Sequence, residues 1–180
     1  MRNARISDWP RLGPVAHTIF PELSDSDVSH LLRWHHQGTV VACHGRDIIG
    51  YYQIQPRGEP GVAWLNYLGV LPAWRGIDVA GSLLATSERH AKTCGFDSIM
   101  LDTRVDNVHA QHFYERNGYA RRGEQTYAAG AKFRFAKTLA QTPALAQAMP
   151  ALEPAPVFTR ALRKLAYGVL MRWPYAGARA

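Results

Sequence analysis

Residues 64–84 read WLNYLGVLPAWRGIDVAGSLL, and this stretch decides the fold. It begins inside an apolar, strand-like run, Val62–Val70, and turns at Pro72. After the segment 75–81, apolar residues recur at helical spacing. The pattern therefore predicts a strand, a glycine-containing loop and a helix start in direct succession.

The start of a helix after such a loop is a natural place for an anion. The first amides of a helix have no partner within the helix and lie at the positive end of its dipole. Small residues beside them allow a phosphate to approach the backbone. An ordinary strand-to-helix turn is the alternative, and a phosphate-bearing ligand is the functional prediction.

The order of residues in this loop resembles the acetyl-CoA loop of the GNAT superfamily of N-acetyltransferases, Gln/Arg-x-x-Gly-x-Gly/Ala. Arg75 takes the first position of that signature, Ala80 takes the last, and Asp78 stands where the first glycine belongs. In the family these loop amides bind the pyrophosphate of coenzyme A. The resemblance therefore implies acetyl-CoA contacts from the loop residues Arg75, Gly76, Ile77, Asp78, Val79, Ala80 and Gly81.

Asp78 departs from the family pattern, and this has a predictable effect. A carboxylate beside the pyrophosphate would repel it, and an aspartate N-cap would occupy the same free amides. Either effect would weaken coenzyme A binding. Two arrangements would avoid this loss of affinity. The Asp78 side chain could turn away while the Asp78 backbone amide still donates to the pyrophosphate, or Arg75 could neutralise the carboxylate.

A second match lies further along the chain, where residues 107–119 read NVHAQHFYERNGY. The family has Asn-x-x-Ala-x-x-Phe/Leu-Tyr-x-x-x-Gly-Phe/Tyr at this point, and the two motifs occur in the family's order. The resemblance covers residues 6–139 and implies that Tyr114 protonates the leaving thiolate and that Asn107 binds the cofactor arm. The alternatives are a core tyrosine and a helix N-cap. Six residues fall in register: Asn107, Ala110, Phe113, Tyr114, Gly118 and Tyr119.

In the family, two central strands separate and the pantetheine arm binds along one of them after a bulge. By position, that bulge would involve the cofactor-binding residues Leu68, Gly69 and Val70, and a backbone amide there would polarise the acetyl carbonyl. The strand carries no carboxylate that could serve as a general base. A base acting through water, or direct attack of a well-positioned amine, therefore stays open. The candidate bases are Glu22, His44 and Glu59.

Helical patterns at 8–20 and 25–36 predict two consecutive helices, with Ser24 or Asp25 as the second N-cap. In the GNAT fold the corresponding pair borders the cleft for the acceptor substrate. For each candidate residue the alternative is simple packing or exposure to solvent. The candidate acceptor contacts from these helices and the central strand are Phe20, Glu22, Trp34, His35, Asn66 and Tyr67.

The bulk properties fit one soluble globular domain: 180 residues, 47% hydrophobic and 19% charged. No apolar run reaches bilayer length, and the first residues lack a secretion signal. Cys43 and Cys94 form no CxxC pair, so we expect buried free thiols and a cytoplasmic protein, with peripheral membrane contact left open. His109 and His112 share a helix face without a third ligand at suitable spacing, so no metal site is expected.

The net charge is +7, and five of these charges lie in residues 154–180, which contain no acid. The remaining chain is nearly neutral, which argues against a nucleic-acid partner. Residues 141–156 predict an Ala/Pro-rich linker and 157–180 a basic amphipathic helix. Segment 157–173 would suit a membrane surface, an acidic partner, or packing on its own domain or on a second copy in a homodimer.

The sequence therefore predicts an α/β (α+β) domain of the GNAT type over residues 1–140. Its sheet would be mixed, mostly antiparallel and flanked by helices, with the C-terminal amphipathic helix linked to it. The predicted function is N-acetyl transfer from acetyl-CoA to a primary amine of a small molecule or a protein. The alternative is a non-catalytic acyl-CoA-binding module or scaffold with a docking tail.

Overall fold

The computed structural model describes residues 1–33, 38–128 and 130–139. The predicted linker 141–156, the predicted helix 157–180 and the candidate acceptor residues Trp34 and His35 lie outside these ranges. No helix in the described ranges is long and apolar enough to cross a bilayer. The helices are α1 (Trp9–Ile19), α2 (Asp25–Arg33), α3 (Val79–Thr93) and α4 (Val108–Arg116). The strands are β1 (Arg2–Asn3), β2 (Thr39–His44), β3 (Asp47–Pro56), β4 (Val62–Val70), β5 (Ser98–Arg104), β6 (Ala120–Tyr127) and β7 (Gly130–Thr138).

The strands form one sheet in the order β1-β2-β3-β4-β5-β7-β6. Every neighbouring pair is antiparallel except β4 and β5, which run parallel. Successive residues of β3 point to opposite faces: Tyr51 packs in the cluster with Leu12 of α1 and Val28 of α2, and Tyr52 packs in the cluster with Leu83 of α3. The mixed, mostly antiparallel sheet flanked by helices is therefore confirmed.

Local sequence chemistry sets several element boundaries, among them the predicted start of α2 at Ser24. Asp27 N–H donates to Ser24 Oγ (3.2 Å) and Ser24 N–H donates to Asp27 Oδ2 (2.9 Å), which forms a capping box at the start of α2. Strands β2 and β3 are joined by a tight turn in which Gly45 has φ of +58°. Helix α3 ends just before Gly95, which has φ of +85°.

The last two strands of the described domain lie at one edge of the sheet. The structure has a hairpin there, with β6 preceding β7. Strand β6 reads ARRGEQTY and is exposed along its whole length. Because neither face of this edge strand is buried, its sequence shows no alternation of apolar and polar residues. Periodicity therefore does not indicate β6 as a strand.

Gly69 of β4 brings the end of α1 into direct contact with the central strand. A Cβ at this position would lie 2.2 Å from Ile19 Cγ2 and 3.2 Å from the Phe20 ring. We expect Gly69→Ala to lower the free energy of unfolding by about 1–3 kcal/mol, because both side chains must move. Chemical denaturation measures this change. Gly13→Ala in α1 is the control, because a Cβ there meets nothing within 4 Å beyond its chain neighbours. Better helix propensity and the contact with the following Pro14 act in opposite directions, so its stability should change by less than about 1 kcal/mol.

Candidate active site

Strands β4 and β5 separate after a short stretch of pairing. Their parallel ladder consists of three residue pairs and ends at Trp64 and Met100. Strand β4 then continues to Val70 and β5 to Arg104 without pairing to each other. The facing edges at 65–70 and 101–104 therefore carry backbone N–H and C=O groups without a strand partner, as the resemblance implied. We call this opening the sheet gap.

A bulge lies in β4 at Asn66, because Leu65 pairs with Ile54 and Tyr67 pairs with Gln53. The predicted bulge at 68–70 is therefore wrong, since these residues pair regularly with β3. The physical reason is that Leu65 and Leu68 both pack against the α3-side core. A regular strand would place residues three apart on opposite faces, so one extra residue must lie between them. The bulge puts Asn66 at the edge of the sheet gap.

The predicted acetyl-CoA loop follows β4 and reaches the first turn of α3. A short 3₁₀ turn, Pro72–Trp74, leads to Gly76, which has φ of +82°. The first bond within α3 runs from Ser82 N–H to the Asp78 carbonyl (3.1 Å). The amides of residues 79–81 therefore precede the helical ladder and lie at its positive end. These amides could bind a phosphate group. The loop that carries them follows β4, the strand that borders the sheet gap.

Asp78 is the only non-glycine residue with positive φ (+60°) among the described residues. This backbone conformation explains why the family signature has glycine here. The side chain lies over the first turn of α3, because a Cβ on Gly81 would be 2.2 Å from Asp78 Oδ1. It makes no cap hydrogen bond. Arg75 instead donates through Nε to the Val70 carbonyl (3.2 Å), and no ion pair joins it to Asp78.

Tyr114 belongs to α4, and its side chain packs in the core against the sheet. Its ring centroid lies 5.6 Å from that of Tyr119. Burial raises the pKa of Tyr114 well above its usual value, so its phenol stays protonated. Its side chain is 8% exposed and makes no hydrogen bond to other described residues. The hydroxyls of Tyr51 and Tyr119, in contrast, are completely buried. Tyr114 therefore has a protonated hydroxyl that makes no hydrogen bond to the described residues, and its role as a proton donor stays a prediction.

Asn107 caps α4, since its Oδ1 accepts from the Ala110 amide at 3.1 Å. The helix-cap interpretation is thus confirmed. A carboxamide that accepts through oxygen still has two N–H donors. In the described chain these donors make no hydrogen bond, so contact with a cofactor arm stays a prediction.

The α1–α2 side of the sheet gap carries aromatic rings and a carboxylate. The ring of Phe20 meets those of Tyr51 and Tyr67 edge to face, at centroid distances of 6.0 and 5.5 Å. Glu22 follows in the same loop and is exposed. Its charge contributes to the raised pKa values of Tyr51, Tyr67 and Arg104, after the larger effects of burial or hydrogen bonding. Glu22 therefore acts electrostatically on residues of β3, β4 and β5.

The other two candidate bases lie elsewhere. His44 stacks on Trp74 with ring centroids 4.7 Å apart, next to the loop rather than the sheet gap. Glu59 lies in the turn that precedes β4, at the opposite end of that strand from the loop. Within residues 1–33, 38–128 and 130–139, no group of three or more His, Cys, Asp or Glu side chains could hold a metal ion.

Asp102 is a functional candidate that the sequence analysis missed. It lies on β5 two residues beyond the last pair with β4, and its side chain is 10% exposed. Arg134 donates to it through Nε (3.0 Å) and Nη2 (3.2 Å), and Tyr127 donates its hydroxyl. These hydrogen bonds outweigh burial and lower the pKa of Asp102. The signal in the sequence that could have identified Asp102 is its position as the single acid in the strand IMLDTRV.

Comparisons with known proteins agree with this geometry. The model of the acetyltransferase (GNAT) family matches residues 3–119. The spore coat polysaccharide biosynthesis protein SpsD of Bacillus subtilis is 32% identical over 88 residues, which are 49% of this chain. The chain spans only 29% of the length of that curated relative.

Solved structures share the fold at low sequence identity. Ard1 from Thermoplasma volcanium has a TM-score of 0.70 at 16% identity, covering 78% of this chain and 97% of its own. The PaiA N-acetyltransferase of Thermoplasma acidophilum, solved in complex with coenzyme A, has a TM-score of 0.57 at 18% identity, covering 76% and 96%. With the family model matching well over half of its length, the chain belongs to the acetyltransferase (GNAT) family of acyltransferases.

Proposed function

We propose that this chain transfers an acetyl group from acetyl-CoA to a primary amine, with the amine approaching from the α1–α2 side of the sheet gap. The observation that carries the proposal is the separation of β4 and β5 immediately beside three free helix amides. The unpaired edge of 65–70 offers hydrogen bonds to an extended arm, and the amides of 79–81 offer hydrogen bonds to phosphate. The two features lie on one strand-loop-helix unit.

In the proposed reaction, the amine nitrogen forms a bond to the acetyl carbon while the carbon–sulfur bond breaks. The amine loses a proton and the leaving thiolate gains one. A backbone amide in 68–70 would stabilise the charge that develops on the acetyl oxygen. Tyr114 would supply the proton for sulfur, since burial keeps its phenol protonated.

Glu22 and Asp102 are the carboxylates proposed to receive the amine. Glu22 is exposed and lies beside Tyr67, where it would attract the ammonium form. Asp102 is held ionised by Arg134, and it would take up the amine proton through water or orient the groups around it. Tyr67 and Asn66 would contact the rest of the acceptor.

The experiment is acetyl transfer to a panel of primary amines, followed by thiol release and by mass of the product. Glu22→Gln should raise the KM for the amine roughly fivefold, because a charge-assisted contact is lost. The affinity for acetyl-CoA should stay the same. Glu124→Gln on the exposed strand β6 removes the same charge as a control. Thiol release without any acetylated amine would contradict the proposal, and so would equal effects of the two variants.

A further inference from the structure

Arg57 is an exposed side chain held in a fixed position at the β4 bulge. Its guanidinium carbon lies 4.8 Å from the centroid of the Trp64 ring. Its Nη2 donates to Asn66 Oδ1, and Asn66 Nδ2 donates to Gln53 Oε1 at 2.6 Å. Gln53 is 1% exposed, so this chain of hydrogen bonds is anchored in the sheet. The guanidinium is therefore oriented before any ligand arrives.

Arg57 forms no ion pair among the described residues, whereas Arg134, 4.7 Å from the same Trp64 ring, is paired with Asp102. The Arg57 charge adds only a small part to the lowered pKa of Asp102, after the larger effects of burial and of the hydrogen bonds from Arg134 and Tyr127. A guanidinium has five N–H donors, and Arg57 uses one of them in the described chain. Several donors are thus free in the fork arrangement that matches carboxylate and phosphate oxygens.

Arg57 lies on the acceptor side of the sheet gap. It donates to Asn66, and the next residue, Tyr67, meets the Phe20 ring at the end of α1 edge to face, with centroids 5.5 Å apart. Burial is the main cause of the raised pKa of Tyr67; the carboxylates of Asp27 and Glu22 add to it, and Arg57 opposes it. Tyr67 is therefore influenced both by acids of the α1–α2 segment and by the Arg57 cation.

We infer that the amine acceptor also carries an anionic group, a carboxylate or a phosphate, and that Arg57 binds this group while Glu22 attracts the ammonium. The inference rests on the proposed acetyl transfer and names the substrate class. A neutral amine would leave the Arg57 donors to water, whereas an acceptor with both charges matches the two sides of the cleft. Arg57 is thus a specificity-determining residue.

The test uses pairs of acceptors that differ mainly in the anionic group. Glucosamine 6-phosphate is compared with glucosamine, and glutamic acid α-amide with glutamine amide, so that phosphate and carboxylate are distinguished. The wild type should favour the anionic member of at least one pair roughly tenfold in kcat/KM, as expected for a bidentate charged contact. Arg57→Gln should bring that ratio close to one, and Arg57→Lys should retain part of it. Arg122→Gln on β6 removes one charge elsewhere and should keep the full ratio.

A binding experiment separates this inference from the proposed function. Calorimetric titrations with glucosamine 6-phosphate and glucosamine are carried out in the presence of coenzyme A. If the wild type acetylates none of the four amines but binds the phosphate-bearing one in an Arg57-dependent way, the inference holds and the proposed reaction is contradicted for these acceptors. The inference is overturned if the wild type shows no preference in either experiment, or if Arg57→Gln preserves the preference.

Discussion

Asp78→Gly binds acetyl-CoA roughly tenfold more tightly than the wild type; this is the result we expect from calorimetric titration. A carboxylate near the pyrophosphate costs about 1.4 kcal/mol at an intermediate effective dielectric, and this energy corresponds to one tenfold step in Kd. The structure leaves this repulsion in place. The Asp78 side chain lies over the first turn of α3. Arg75 donates to the Val70 carbonyl and forms no ion pair with Asp78.

Asp78→Asn separates charge from backbone conformation. Asparagine tolerates the left-handed backbone of φ +60°, as aspartate does, so this variant removes only the charge. It should reproduce most of the gain in affinity, and the gain should shrink in high salt because screening weakens the repulsion. Asp47→Asn, at an exposed position at the start of β3, is the control for a change in net charge. Equal or weaker binding by Asp78→Asn would contradict the repulsion.

The stability of Asp78→Gly helps to interpret its affinity. Glycine relieves about 1 kcal/mol of left-handed strain. The lost carboxylate had stabilised the helix N-terminus by a similar amount, about 0.3–1 kcal/mol. Asp78→Gly should therefore unfold close to the wild type, whereas Asp78→Asn, which keeps the backbone and loses only the charge, should be less stable by about 0.3–1 kcal/mol. Neither change is large enough to unfold the domain, so a change in Kd reports on the loop itself. If only the Asp78 variants bind acetyl-CoA, the wild-type loop is blocked and the non-catalytic alternative gains support.

The elements that could be predicted from the sequence are those whose local chemistry agrees with their environment. Strand β4 was predicted with its observed bounds, because its apolar run ends in a Pro72 turn. Ser24 marked the start of α2 through capping chemistry that acts over a few residues. The motif ending in Tyr119 predicted α4 and its cap, since cap and core residues occur at fixed offsets.

The features that could not be predicted depend on contacts between distant parts of the chain. The bulge at Asn66 exists because Leu65 and Leu68 must both reach the core around α3, and strand spacing alone does not show this. Asp102 reaches the sheet gap only because β5 lies beside β4 and then separates from it. The importance of Arg57 depends on Trp64 and Asn66, which reach it through the fold of the β3–β4 turn.

Tyr114 is the residue predicted to protonate the leaving thiolate, and this role stays a prediction that its surroundings allow us to test. Its neighbours are aromatic: Phe113, Tyr119 and Phe135 lie within ring-contact distance. These rings fix the position of the phenol but give its hydroxyl no hydrogen-bond partner in the described chain. A donor with this freedom in an apolar setting is suited to a sulfur atom that becomes negative during the reaction.

We therefore expect Tyr114→Phe to lower kcat about 10²-fold or more, the usual contribution of a positioned proton donor. Its Kd for acetyl-CoA should change little, because the loop amides and the edge of β4 are untouched. Pre-steady-state thiol release and calorimetry measure the two quantities. Tyr119→Phe is the matched control: its ring lies 5.6 Å from that of Tyr114, and its hydroxyl is completely buried. Removal of that hydroxyl should leave kcat within about twofold, because Tyr119 has no predicted part in the transfer. Equal losses in both variants would mean that the aromatic cluster matters only for packing, and an unchanged kcat in Tyr114→Phe would assign the thiolate proton to another donor.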